Sequence, residues 1–206
     1  MGIENLSIYL ASASPRRRDL LHQINVKYEV LILRTETTRQ DVDETPVQGE
    51  TPESYVMRIA RDKAEAGWLA VQARRLPKRL VLAADTTVSL EGEIFGKPDS
   101  REHAEVMLKK LSGKSQQVFT CVAMAFEDRV ETLLSTSIVT FSELSETEIK
   151  HYTMTGEPLG KAGGYAIQGR AAAFISRIEG SYSGVMGLPL YETAQLLKKF
   201  GVNVLL

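Results

Sequence analysis

Four polar interruptions of apolar or small-residue segments carry side chains able to do chemistry. The first is Ser12-Ala13-Ser14-Pro15-Arg16-Arg17-Arg18, directly after the apolar run "LSIYLA". Ser14 can cap a helix whose first turn begins with Pro15, where the missing N–H costs nothing. A helix N-terminus presents unpaired N–H groups and a positive dipole end, which together attract an anion. Ser12 and Ser14 add hydroxyl donors, and an arginine fork matches phosphate oxygens. Three arginines in a first turn oppose the dipole. Either something negative offsets them, or they are solvated beside an ordinary serine cap. The glycine spacing and Gly-Lys ending of a Walker loop are absent.

The second is "VLAADTT" at 81–87, where Asp85 follows an apolar strand and reads as its end. Strand ends in α/β sheets open onto the ligand crevice. A carboxylate there can hold a divalent cation through oxygen or act as a base on water. The plainer reading is a turn aspartate satisfying local backbone N–H groups. The third is a pair of lysines. Lys63 falls within the apolar stripe Val56, Ile59, Ala60, Ala64, Gly67 of a helix, away from the outer face with Arg58, Asp62 and Glu65. It must snorkel out or meet an anion. Lys97 lies in the tight turn "FGKPD", where lysines are ordinarily solvated. The fourth is Gln168 in "YAIQG", an amide that can read a base edge with donor and acceptor, or simply close a turn. Asp43 and Glu44 in "DVDETP" are loop acids that, side by side, could assist a metal.

The elements that must position these groups alternate along the chain. "LSIYLA" (6–11) and "YEVLIL" (28–33) read as strands, with a helix between them whose core side is Leu20, Leu21 and Ile24. After a polar loop at 34–50, Thr51-Pro52 repeats the cap-plus-proline signal and opens a helix to about Arg75. Residues 79–95 read as a hairpin turning at Gly92, and Ser100 caps a helix that Gly113 closes. A second, longer hairpin turns at "EDR" (127–129), and "SETE" (145–148) is a capping box. A glycine-rich loop at 156–173, a strand near 173–178 and a helix from Pro189 to Gly201 complete the chain. The expectation is α/β: one continuous domain, residues 1–206, with a mixed, twisted sheet flanked by helices.

Composition narrows the function. The 206 residues include 25 basic and 26 acidic ones, a formal net charge of −1, which argues against a dedicated nucleic-acid binder but not against a local cluster facing a small polyanion. Cys121 is the only cysteine, so neither a disulfide nor a cysteine-based zinc site is expected. The start "MGIENLSIYLA" lacks a secretory or myristoylation pattern, and no apolar run reaches membrane-spanning length. A cytoplasmic protein is the expectation.

Taken in order, SASPRR, DVDETP, ARDKA, AADTTV, GKP, LSG, AGGYAIQG and GSYSGVMGLPL resemble the Maf family of nucleoside triphosphate pyrophosphatases over about residues 6–200. The resemblance implies a cytoplasmic enzyme with a deep nucleotide-binding groove in a Maf/ITPase-like fold, often a homodimer. It would cleave a nucleotide between the α- and β-phosphates with a divalent cation, Mg²⁺ or Mn²⁺. A subgroup similar to the 7-methyl-GTP pyrophosphatases has Trp, Gln and Glu where this chain has Arg16, Thr86 and Gln168. The set found here resembles the subgroup acting on dTTP and UTP, and a pocket taking both also admits modified pyrimidine nucleotides. One departure is the long "RTETTRQ" (34–40) before the Asp-Glu segment, which affects the placement of Glu44.

On this reading Ser12, Ser14, the helix N-terminus and Arg16 bind the triphosphate, with Arg17 as a secondary phosphate contact and Arg18 solvated. Lys63 and Lys97 add positive charge. Asp85 is the catalytic residue, orienting or deprotonating water, and with Glu44 it is a candidate metal ligand. Arg16, Thr86 and Gln168 correspond to positions linked to base choice. The rival classes are a non-catalytic nucleotide-binding regulator of cell division, as the family's septum-related name suggests, and a nucleic-acid binder, which lacks a stacking platform near the arginines.

Overall fold

The computed structural model describes residues 7–34 and 41–204. Most of the long "RTETTRQ" segment, and the Leu6 end of the first expected strand, lie outside the described residues. Strands β1 (Ile8–Leu10) and β2 (Tyr28–Val30) flank helix α1 (Pro15–Gln23). Next come helix α2 (Pro52–Ala73), strands β3 (Val81–Leu90) and β4 (Glu93–Phe95), and helix α3 (Arg101–Leu111). The hairpin of β5 (Ser115–Phe126) and β6 (Arg129–Phe141) follows, then helix α4 (Glu146–Met154), strand β7 (Ile175–Glu179), and helices α5 (Tyr182–Met186) and α6 (Leu190–Lys199).

All seven strands join one open sheet in the order β2-β1-β3-β5-β6-β7, with β4 paired to β3 off this path. β1 lies parallel to β2 and β3, and every other pair is antiparallel, so the sheet is mixed as expected. One edge of β3 is held along its length by β5, from Val81↔Ala125 to Ser89↔Gln117. Its other edge is shared. β1 covers only Val81 and Leu82, and β4 covers only Val88 to Leu90. Between them the sheet is split, and Asp85 lies in the split.

This corrects the placement of Asp85 at a strand end: it sits mid-strand in β3. Ladder bonds are made by the backbone, and the β-branched Thr86 and Thr87 suit a strand as well as a turn. Alternation along β3 then sorts the side chains. Val81 and Ala83 pack against α2 in a core with Val56, Ala60 and Ala64, and Asp85 is next on that face. Leu82 and Ala84 pack with Leu20, Leu21 and Leu196 of α1 and α6, and Thr86 is next on that face.

Other differences are local. The strand expected at 28–33 stops at Val30, although Leu31 N–H still donates to the Leu10 carbonyl at 2.9 Å. α2 ends at Ala73, with Arg75 in left-handed backbone at φ 53°. The expected last strand is shifted to Ile175–Glu179. α5 was not anticipated. Its signals are Ser181, whose side chain accepts from Gly184 N–H, and Gly187 at φ 116° as its C-cap. Thr51 and Ser100 cap as expected, and Ser145 with Glu148 forms the full capping box. Among the described residues no helix is long and apolar enough to cross a membrane.

Gly67 sets the distance between α2 and the sheet. A Cβ there would stand 2.7 Å from Val81 Cγ1 and 3.2 Å from Ala11 Cβ, so only glycine permits this approach. One turn earlier, Lys63 is thereby carried to Asp85. Gly67→Val should destabilise the fold by about 1–3 kcal/mol through overpacking. Urea denaturation measures this, and an unchanged midpoint would show that the close approach is not required.

Candidate active site

Ser12, Ser14, Arg16, Arg17, Glu44, Lys63, Asp85, Thr86, Lys97 and Gln168 all line one groove of about 580 Å³. It lies over the split in the sheet. Its floor is β3, and its walls are the start of α1, the 44 loop and the 160–168 loop.

Lys63 resolves its two alternatives by meeting anions. Its Nζ stands 2.7 Å from Asp85 Oδ1 and 2.7 Å from Glu44 Oε1, and only 13% of its side chain is exposed. Lys97 Nζ lies 3.7 Å from Glu44 Oε2 but is 61% exposed, so its pairing is screened and weak. Burial pushes the Glu44 carboxyl up, but Lys63, with Lys97 and Arg17 behind it, holds it below the ordinary carboxylate value. The loop bearing Glu44 is fastened from α2. Tyr55 OH donates to the Glu44 carbonyl at 3.0 Å, and Arg58 donates to the Asp43 and Thr45 carbonyls at 3.4 and 3.1 Å. Arg58 also pairs with both oxygens of Glu50, at 2.7 and 2.8 Å. Arg58 is therefore no merely solvated outer-face residue. Its position one turn before Asp62 gave no hint of this, because the loop partners are backbone carbonyls.

At α1 the three arginines separate differently from the expectation. Arg17 is the fastened one: Nε donates to the Gly187 carbonyl at 2.7 Å, Nη1 to Ser12 Oγ at 3.1 Å, and Nη2 to Thr86 Oγ1 at 3.5 Å. Of its five N–H donors, two remain for the groove. The Arg16 guanidinium makes no hydrogen bond to a described residue, and burial lowers its pKa. Arg18 is half-buried rather than fully solvated. Ser14 stands at the N-cap without a side-chain cap bond, which corrects that expectation; its own N–H donates to Ser12 Oγ at 3.2 Å. Thr86 also receives a hydrogen bond from Thr120 at 3.1 Å, across the β3–β5 pair. Gln168 is exposed at the groove mouth and hydrogen-bonds to no described residue, so it does not close a turn.

Two residues were missed. Lys161 lines the groove, and its Nζ donates to the Glu157 carbonyl at 2.5 Å. Glu157 pins the loop: its carboxylate accepts from Tyr152 OH at 2.9 Å, Arg170 N–H at 3.0 Å and Ala171 N–H at 3.3 Å. Gly169 allows this, since a Cβ there would overlap that carboxylate. The only sequence signal was the glycine density of 156–173. With Lys161 included, five cations line the groove against Glu44 and Asp85, an excess of three positive charges. A site so charged, with low-dielectric walls, selects a polyanion.

A family model described as "Maf-like protein" matches residues 7–200. The chain belongs to the Maf-like protein family. Among curated relatives of this Maf-like chain, a dTTP/UTP pyrophosphatase of Nitrosomonas europaea is 54% identical, with 96% of each chain covered. One of Aromatoleum aromaticum, with the same name, is 54% identical over 94% of this chain and 95% of the relative. The solved Staphylococcus aureus Ham1 protein overlays 68% of this chain and 72% of that one, at TM-score 0.44 and 24% identity, too distant to inform the site.

Glu157 gives the Maf-like groove an acid-sensitive wall. Burial alone would raise its carboxyl, but the Arg170, Tyr152 and Ala171 donors hold it below the ordinary 4.5. A carboxyl lowered by folding stabilises above its unfolded pKa, and that contribution is lost as pH falls through the folded value. Amide-exchange protection of Arg170 and Ala171 should therefore fall as pH drops below 4.5. Glu157→Gln should lower it at neutral pH and remove the dependence. Protection independent of pH in the native chain would contradict this.

Proposed function

We propose that this Maf-like chain hydrolyses dTTP and UTP, and modified pyrimidine nucleotides of similar shape, to the monophosphate and pyrophosphate. The observation that carries the reading is the groove itself: a carboxylate held by Lys63 at a split in the sheet, beside cations in excess. Relatives about half identical over nearly their whole length carry the same activity in their names.

Phosphoanhydride hydrolysis is mostly positioning and charge neutralisation. In this reading Ser12, Ser14, the α1 N-terminus and Arg16 receive phosphate oxygens, and Arg17 offers its two remaining N–H groups. Asp85 orients a water and takes its proton. Lys63 engages Oδ1, while Oδ2 hydrogen-bonds to no described residue and is left to face the water. Lys63 aims the carboxylate. As the leaving pyrophosphate gains charge, the neighbouring cations offset it. Thr86 and Gln168, with Arg16, bear on the pyrimidine edge.

Asp85 and Glu44 suit a divalent cation only in part: two carboxylates converge on Lys63, and no group of three or more His, Cys, Asp or Glu gathers among the described residues. Hard cations bound through one or two carboxylates plus substrate phosphates need no more. Asp85 and Glu44 would hold Mg²⁺ or Mn²⁺ together with the triphosphate. When bound, the ion supplies charge neutralisation to the phosphates. The same reading locates the enzyme in the cytoplasm and takes a homodimer as its assembly, resting there on the family resemblance.

Purified protein with Mg²⁺ or Mn²⁺ should release pyrophosphate from dTTP and UTP faster than from ATP, GTP or 7-methyl-GTP, and chelation should stop it. Asp85→Asn should stay folded and lose at least ~10²-fold in kcat, the scale of a lost general base. Binding without turnover on any of these would instead mark a nucleotide-binding regulator, as in septum formation. A variant at the native rate would remove Asp85 from its role.

A further inference from the structure

We infer that Lys161 is a further substrate-binding residue, its ammonium taking, together with Arg16, an oxygen of the pyrophosphate portion of the triphosphate. This deepens the proposed function and rests on it for the identity of the full substrate, but not for the anion site itself.

The charges of the groove are unevenly matched. Lys63 and Lys97 face Glu44 and Asp85. Arg16, Arg17 and Lys161 form no salt bridge with a described acid, although Arg17 feels the charges of Asp85 and Glu44, and Lys161 that of Glu157. Arg17 spends three donors on neutral oxygens of Gly187, Ser12 and Thr86. Lys161 spends one of its three on a carbonyl. The nearest acid in sequence, Glu157, has its carboxylate committed to Tyr152, Arg170 and Ala171. Lys161 is also half-buried and close enough to Arg16 for the two to repel, so burial and then that repulsion lower its pKa, against a smaller opposing pull from Glu157. Partly desolvated like charges without a salt-bridged acid are costly, and an anion shared between them lowers the cost.

A purely structural role for Lys161 is a poor fit. Its bond to the Glu157 carbonyl spans four residues within one loop, and the Glu157 carboxylate already pins that loop to α4 and to the 170–171 backbone. Two ammonium donors are left over, on a residue that lines the groove. Arg16 and Lys161 thus stand outside the ion pairs of Lys63, Asp85 and Glu44. That division suits a substrate whose phosphorus under attack faces Asp85 while its departing phosphates face Arg16 and Lys161.

The test is calorimetric titration of inorganic pyrophosphate into the full chain, native, Lys161→Gln and Lys161→Arg, at low ionic strength. The glutamine variant should bind at least ~10-fold more weakly, the scale of one charge-assisted hydrogen bond, and the arginine variant should stay within ~3-fold of native. With dTTP, Lys161→Gln should raise KM more than it lowers kcat, and both variants should melt within a few degrees of the native chain. Native pyrophosphate affinity in Lys161→Gln would overturn the inference. So would no binding by the native chain, or equal loss in both variants with a lowered Tm. If dTTP is not hydrolysed but pyrophosphate binding still needs Lys161, the anion site stands and the substrate reading fails.

Discussion

Lys63 stands 2.7 Å from Asp85 and 2.7 Å from Glu44, and much of the molecule is arranged around that ammonium. Two carboxylates from different segments would repel each other there, and leaving the buried Asp85 unpaired is costly. The ammonium satisfies both and ties β3, the 44 loop and α2 into one unit. It arrives there because α2 approaches the sheet at Gly67, a turn further along, and because Tyr55 and Arg58 hold the loop from the same helix. Asp85 has room to act because β1 and β4 share one edge of β3 and leave its middle unpaired.

The same split lets both faces of β3 contribute. Asp85 points to α2 and Thr86 to α1, so adjacent residues of one strand serve different walls of the groove. Thr86 joins Arg17 and Thr120, and Arg17 reaches the Gly187 carbonyl at the end of α5. Arg17 therefore locks α1 to the strand and to the 187 turn while keeping two donors for a ligand. The acids and their lysines form one ion-paired cluster, and Arg16, Arg17 and Lys161 line the same groove without salt bridges to described acids. Hydrolysis of a charged anhydride uses such a division, because the group that activates water needs negative charge and the leaving group needs positive charge.

Much of this was legible in the sequence where local chemistry decides. Thr51-Pro52, Ser100 and the Ser145–Glu148 box give helix starts that the structure reproduces, since caps depend on neighbours within a few residues. Lys63 stood out because a charge within an apolar stripe requires a partner. Asp85 stood out by type, yet its mid-strand position was not legible: the pairing with Cys121 of β5 is non-local, and polarity does not stop a ladder. The order among the arginines was equally hidden. Arg17 is fastened by a carbonyl 170 residues away, and no local pattern announces it. Lys161 lies in a glycine-rich loop whose sequence does not mark it, and only the fold brings it into the groove with Arg16.

The central claim is that water held by Asp85 attacks the α-phosphorus while the terminal phosphates rest among the cations. Hydrolysis of dTTP in ¹⁸O-labelled water tests it most directly, with mass spectrometry of both products. The account predicts one labelled oxygen in the thymidine monophosphate and none in the pyrophosphate. Label in the pyrophosphate would mean attack at the β-phosphorus, and would contradict the arrangement described.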